Sequence, residues 1–189
     1  MSQACIAGVR LFQYRNKSGS RKSAYETALR LAKIARDTKA TFIVNDYADI
    51  ALAVDADGVH LGQDDLPFDL ARKLLGPSKL IGISTHSVRQ AQEAELQGAD
   101  YVGFGPIFPT TTKDAGVIQG ISGLANIRKS VKIPIIAIGG IKQESVADVI
   151  RGGADCVAII GAILTAEHLS DAAAAVLKII NDISRKGGT

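Results

Sequence analysis

Cysteine is scarce in this chain, and the scarcity excludes a good deal. Only Cys5 and Cys156 occur among 189 residues. Two thiols so far apart, with no ligand pattern around them, make neither a disulfide framework nor a zinc site. Both read as reduced packing residues of a cytoplasmic protein. Long apolar runs are missing too. The longest lie near 133–141 and 156–164, well short of the roughly 20 residues that cross a bilayer. No basic-then-apolar leader opens the chain, and no low-complexity segment or linker interrupts it. Charge of one sign is also lacking. Against 22 Lys and Arg stand 19 Asp and Glu, a formal net charge of +3. That balance argues against a nucleic-acid tract or a membrane-surface patch, and it suits small anionic substrates. Nor does a Ser–His or Cys–His pair stand out to announce nucleophilic catalysis.

What is present is ordinary in bulk: 47% hydrophobic and 22% charged residues, in a length that fits one well-buried domain over 1–189 better than two. The order is less ordinary. Asp57-Gly58-Val59-His60-Leu61-Gly62, Ala99-Asp100-Tyr101-Val102-Gly103 and Ala154-Asp155-Cys156-Val157-Ala158-Ile159-Ile160-Gly161 share one plan. A helix ends, an Asp opens a short apolar strand, and a glycine closes it. Gly98 and Gly153, each just before Ala-Asp, supply the left-handed helix stop. Such repeats belong to an alternating strand–helix architecture.

Seven short apolar runs are predicted strands, at 9–14, 41–45, 57–61, 79–84, 100–104, 133–138 and 156–160. Phe42-Ile43-Val44 and Ile135-Ile136-Ala137-Ile138 are continuous, as strands buried on both faces are. Helical periodicity fills 21–37, 47–53, 67–75, 87–97, 119–130, 143–151 and 171–185, with Ser87 and Ser170 as N-caps. Seven β/α units in so few residues point to a (β/α)8 TIM barrel rather than an open doubly wound sheet. Such barrels have eight strands and typically about 250 residues, though about 200 suffice. Ser2–Gly8 reads as the last turn of a helix running into a strand. The expectation is therefore a single barrel domain lacking its first strand and most of its first helix. Strands 9–14 and 156–160 would flank the gap, and their unpaired edges would favour self-association into a homo-oligomer.

In such a barrel, functional groups stand where strands end and loops begin. Gln13, Arg15 and Lys17 alternate along one face of the first available strand. An amide, a guanidinium and an ammonium can grip a pyrophosphate, or simply form a basic edge in solvent. The next strand ends in Asn45-Asp46-Tyr47, and the one after it in His60-Leu61-Gly62-Gln63-Asp64-Asp65. Parallel neighbours lie about 4.8 Å apart, so the two loops can meet. Carboxylates beside a cationic grip repel a phosphate unless a cation lies between them, and hard oxygen ligands with phosphate oxygens suit Mg²⁺. Asp65 before Leu66-Pro67 could equally be a helix cap. Ser84-Thr85-His86 closes another strand, where a lone His is more often a hydrogen-bonded structural group than an acid or base. The stretch Gly103–Gly116 brings adjacent hydroxyls of Thr110, Thr111 and Thr112, with Lys113, into a glycine- and proline-bounded loop that could hold phosphate. Gly139-Gly140 and Ile160-Gly161 follow the last two strands, where barrels commonly hold a phosphate.

Together these pieces resemble the thiamine-phosphate synthase family. The likeness runs from about Ala7 to Leu164 and rests on Gln13–Lys17, Asn45-Asp46, His60–Asp65, Gly82–His86, Gly105–Lys113 and Gly139–Ile141 in that order. The resemblance implies a transferase that joins 4-amino-2-methyl-5-hydroxymethylpyrimidine pyrophosphate to 4-methyl-5-(2-hydroxyethyl)thiazole phosphate, releasing pyrophosphate. It implies Gln13, Arg15, Lys17 and Asn45 as ligands of the pyrimidine pyrophosphate, and Asp46 and Asp65 as Mg²⁺ ligands. Ser84 and Lys113 would meet the pyrophosphate. Thr110, Thr112, Gly140 and the turn at Ile160 and Gly161 would hold the thiazole phosphate. Arg15, Lys17, Ser84 and Lys113 would carry catalysis by charge and position alone, because the attacking thiazole nitrogen has no proton to lose.

Two departures stand out. The family's first strand, with an aromatic residue lining the site, has no counterpart. Gly161 stands where members often have Ser, a lost hydroxyl worth roughly 0.5–1.5 kcal/mol if unreplaced. The rival readings are a thiazole tautomerase, with His86 as proton shuttle, and an inactive truncated binder of phosphate ligands.

Overall fold

The computed structural model describes residues 1–110 and 116–186. The chain divides into two compact units, Met1–Ser84 and Thr85–Thr189. The first contains α1 (Ser2–Ile6), β1 (Leu11–Tyr14), α2 (Arg21–Thr38), β2 (Thr41–Asn45), α3 (Ala48–Ala53), β3 (Gly58–Leu61), α4 (Phe68–Leu75) and β4 (Leu80–Thr85), which ends at the boundary. Strands β1 to β4 pair in chain order, all parallel.

Alanine lets α2 lie close to its sheet: Ala24, Ala28, Ala32 and Ala35 are its buried residues, at helical spacing. The helix starts at Ser20, whose hydroxyl accepts from the Ser23 amide. It stops at Lys39, which adopts the left-handed conformation with φ 53°. Beneath it Phe42, Ile43, Val44, Val59, Leu61 and Ile81 form the apolar centre.

The second unit runs α5 (Val88–Gln97), β5 (Tyr101–Phe104), α6 (Gly120–Ser130), β6 (Ile135–Ile138), a 3₁₀ turn (Gln143–Ser145), α7 (Val146–Arg151), β7 (Cys156–Ala158), α8 (Gly161–Leu164) and α9 (Leu169–Lys186). Here β5, β6 and β7 pair in order, again parallel. Among the described residues seven strands, each parallel to its partners within its unit, put the chain in the α/β class. No helix of the described residues is long and apolar enough to cross a membrane.

The repeated Asp has a definite job. Asp57 donates its amide to the Phe42 carbonyl (2.9 Å) and accepts the Phe42 amide on Oδ2 (2.7 Å). Asp155 does the same with Ile135, at 2.9 and 2.8 Å. In both places the carboxylate adds a rung below the first strand residue and ties β3 to β2, or β7 to β6.

Local expectations meet mixed outcomes. Ser87 caps α5, accepting from the Gln90 amide, and Gly98 ends that helix at φ 93°. Ser170 is not a cap, because the alanine-rich segment starts its helix earlier, at Leu169. The last strand stops at Ala158, because the chain turns into the one-turn helix α8 from Ile160. Burial on both faces holds for β2, but β6 alternates between buried and half-buried. The end strands β1 and β7 are the least covered.

Candidate active site

Register assembles the polar groups of the first unit. Asn45 on β2 lies level with His60 on β3, and His60 with Gly82 on β4. On β1, Gln13 lies level with Ile43. Side chains two apart share a face, so Gln13, Asn45, His60 and Ser84 belong to one face, near the strands' C-terminal ends. Arg15 and Lys17 follow β1 in the chain, and their charges act on Asp46.

Asp46 is the hub. Its backbone holds φ 67°, a left-handed conformation that residues with a Cβ rarely adopt. The strain is held in place by the Asp46 amide, which donates to the His60 carbonyl (2.8 Å), and by the Tyr47 amide, which donates to the Asn45 carbonyl (2.9 Å). Asn45 is buried and donates its amide hydrogen to Asp46 Oδ1. The Asp46 carboxyl is pushed above the ordinary carboxylate range by burial first, then by a hydrogen bond with Asp65 and by that group's negative charge. Lys17 and Arg15 pull it the other way.

Asp65 is therefore not the cap of α4. Pro67 stands at that helix's N-cap position, and no side chain caps it. The Asp65 carboxylate instead accepts from the Gly62 amide (2.7 Å) and turns toward Asp46. Two neighbouring carboxyls within the field of two cations are a hard-oxygen donor set. Among the described residues no cluster of three or more His, Cys, Asp or Glu offers a fuller cage. A pair fits Mg²⁺ well, because that ion keeps several waters and completes its shell with substrate phosphates.

Ser84 is held twice. Its Oγ lies 2.8 Å from Nε2 of the buried His60, and its carbonyl accepts from the Gln63 side chain at 2.7 Å. On the other flank, Arg21 at the start of α2 stacks over the Tyr47 ring, 4.6 Å from its centroid, and pairs with Asp49. That contact braces the turn that carries Asp46.

The second unit shapes a different set of groups. The Ile107 amide donates to the Ile138 carbonyl and the Phe108 amide to that of Gly139, both at 3.0 Å. The loop after β5 is thereby laid against Gly139-Gly140. A Cβ on Gly140 would stand 2.4 Å from the Pro109 carbonyl, and its φ is +65°. Thr110 follows directly; Thr112 and Lys113 lie outside the described residues. Ile160 and the exposed Gly161 begin α8. His86 donates from Nδ1 to the Gly105 carbonyl at 2.6 Å, since a carbonyl can only accept, so it is a hydrogen-bonded group of the kind expected for a lone His.

Comparison with known proteins bears on what these groups serve. The thiamine monophosphate synthase family matches residues 1–163. The chain belongs to that family. A thiamine-phosphate synthase of Shouchella clausii is 47% identical over 187 residues, covering 98% of this chain and 89% of that protein. One from Chloroflexus aurantiacus is also 47% identical, over 97% of this chain and 85% of its own. The solved thiamine phosphate pyrophosphorylase of Pyrococcus furiosus is 40% identical with a TM-score of 0.90, over 96% of this chain and 88% of that one.

Within this thiamine monophosphate synthase frame, the residues expected from the sequence fall into two sets. Asn45, Asp46, Asp65, Arg15 and Lys17 share one electrostatic neighbourhood, and Gln13 and Ser84 share the strand face that leads to it. Thr110 and Gly140 belong to the loop seat of the second unit. His60 and Gln63 sit within a strand-end motif that by itself assigns neither a task, and nothing in the sequence marks Arg21. The place of His60, one position before the end of its strand, is the signal the sequence offers.

Proposed function

We propose that this chain joins hydroxymethylpyrimidine pyrophosphate to hydroxyethylthiazole phosphate, giving thiamine phosphate and pyrophosphate. The observation that carries the reading is the Asp46–Asp65 pair within the field of Arg15 and Lys17. Family membership supports the same reaction.

The bond from the pyrimidine methylene carbon to the pyrophosphate oxygen breaks, and its electron pair leaves with pyrophosphate. The thiazole nitrogen donates its lone pair to the same carbon, so a C–N bond forms and no proton is released. The pyrimidine amino group feeds charge into the methylene carbon, which favours a carbocation-like path. Stabilising the departing anion and holding two substrates in line is then the whole of the protein's task. Arg15 and Lys17 face the pyrophosphate, with Ser84 and Lys113 as further donors. Gln13 and Asn45 hold the pyrimidine substrate, and Asn45 also fixes the Asp46 carboxylate. Thr110, Thr112, Gly140 and the Ile160-Gly161 turn hold the thiazole phosphate. Asp46 and Asp65 are the residues that would hold Mg²⁺, which when bound supplies positive charge to neutralise the leaving group. The eight-stranded barrel expected from the sequence belongs to the same proposal, since its logic of strand ends is the one used here.

Substrate-resolved kinetics test the division of labour. Arg15→Ala should raise KM for the pyrimidine pyrophosphate, and Thr112→Val should raise it for the thiazole phosphate. Equal losses for both substrates in both variants would contradict the assignment.

A further inference from the structure

We infer that His60 is a positioning residue that aims the hydroxyl proton of Ser84 at the pyrophosphate, by presenting Nε2–H to Ser84 Oγ. The inference rests on the reading of Ser84 as a pyrophosphate contact and deepens it. The geometry comes from the first unit alone. His60 is 7% exposed, and its Nε2 lies 2.8 Å from Ser84 Oγ. Gln63 holds the Ser84 carbonyl at 2.7 Å. The His60 backbone is fixed as well, because its carbonyl accepts the Asp46 amide at 2.8 Å and its residue is level with Asn45 and Gly82 in the sheet. With the hydroxyl oxygen and both backbones placed, the proton between Nε2 and Oγ can belong to either partner.

Hydrogen-bond chemistry decides between them. A neutral imidazole carries one N–H and one lone pair, and a serine hydroxyl carries one proton and two lone pairs. If Nε2 held the lone pair, the Ser84 proton would be committed to it, and the hydroxyl would meet an anion with lone pairs only. If Nε2 carries the proton, Oγ accepts it and the Ser84 proton is released toward the phosphate oxygen. A hydrogen bond to a charged oxygen is then made rather than lost, a difference of about 10- to 100-fold in affinity. The tautomer is thus part of the anion site.

Long-range ¹H–¹⁵N correlation of the intact, ¹⁵N-histidine-labelled protein reads the tautomer directly, and the spectrum of His60→Gln assigns the resonances among the three histidines. A protonated Nε2 is expected. An unprotonated Nε2 would overturn the inference. Binding of inorganic pyrophosphate with Mg²⁺ gives the second arm. His60→Leu should weaken it about 10- to 100-fold, while His60→Gln, whose amide can still donate near the Nε2 position, should recover most of the loss. KM for the thiazole phosphate should stay unchanged in both. Equal weakening in Leu and Gln variants that fold normally would overturn the inference. Ser84→Ala separates the two levels. If it weakens pyrophosphate binding while Nε2 proves unprotonated, the anion role of Ser84 stands and the role of His60 falls. If Ser84→Ala leaves pyrophosphate binding intact, the reading of Ser84 falls, and the inference with it.

Discussion

The carboxyls of Asp46 and Asp65, carried by the turns after neighbouring strands, stand close enough that Asp65 helps to push the Asp46 carboxyl above the ordinary carboxylate range. Burial is the first cause of that rise and Asp65 the second. In the proposed reaction, this pair beside Arg15 and Lys17 is where a divalent ion and an anionic leaving group would be held together.

Asp46→Asn should therefore separate stability from activity. The native Asp46 carboxyl keeps its proton to higher pH than the unfolded one. Stability of the metal-free protein accordingly falls as pH rises from the ordinary carboxylate range through the raised native value. The Asn variant loses that slope, and at neutral pH should match or exceed the parent by on the order of 1 kcal/mol or less, since the site is partly exposed. Turnover should drop by about 10²-fold or more. Urea titrations at several pH values, without metal, check the stability half.

The rungs made by the repeated Asp are a stability device. Asp57→Ala strands the amide of Phe42, a residue 1% exposed, and should cost about 1–3 kcal/mol. Asp57→Asn keeps an acceptor oxygen and should cost less. Denaturation midpoints of the two variants give the comparison, and equal losses would mean that charge rather than the rung matters.

Lys39 closes α2 at φ 53°, a conformation that carries a penalty for any residue with a Cβ. Lys39→Gly should stabilise the protein by about 1 kcal/mol, seen as a raised thermal midpoint with unchanged kinetics.

Gly140→Ala should act on one substrate. The added methyl group meets the Pro109 carbonyl and forces the 106–110 loop off its seat. KM for the thiazole phosphate should rise about tenfold or more, with less effect on the pyrimidine pyrophosphate. Separate substrate titrations measure the split.

Much of this was legible in the sequence, for reasons that can be named. Continuous apolar runs such as Phe42-Ile43-Val44 mark strands wherever they fall, and the polar pair Asn45-Asp46 stands out because it follows one directly. The Gly-Ala-Asp repeats announced the β/α units because a left-handed stop and a strand opener are local chemistry. The task of the repeated Asp was not legible, since the Phe42 and Ile135 amides it accepts belong to the preceding strands. Asp65 shows the same limit: beside Pro67 it reads as a cap, and only the tertiary fold reveals that its carboxylate turns to Gly62 and Asp46. His60 was visible but mute, because its partner Ser84 lies 24 positions away. Ser170 and the short α8 failed at the level of boundaries, where one turn of helix more or less differs by little energy.

The most direct measurement is product formation from the two substrates. The purified protein, given hydroxymethylpyrimidine pyrophosphate, hydroxyethylthiazole phosphate and Mg²⁺, should yield thiamine phosphate and pyrophosphate in equal amounts. Formation should cease with a chelator and be nearly abolished in Asp46→Ala, a variant that circular dichroism should find folded. Thiamine phosphate produced at an undiminished rate by folded Asp46→Ala with the metal chelated, or no product at all from the intact protein with both substrates bound, would contradict the account.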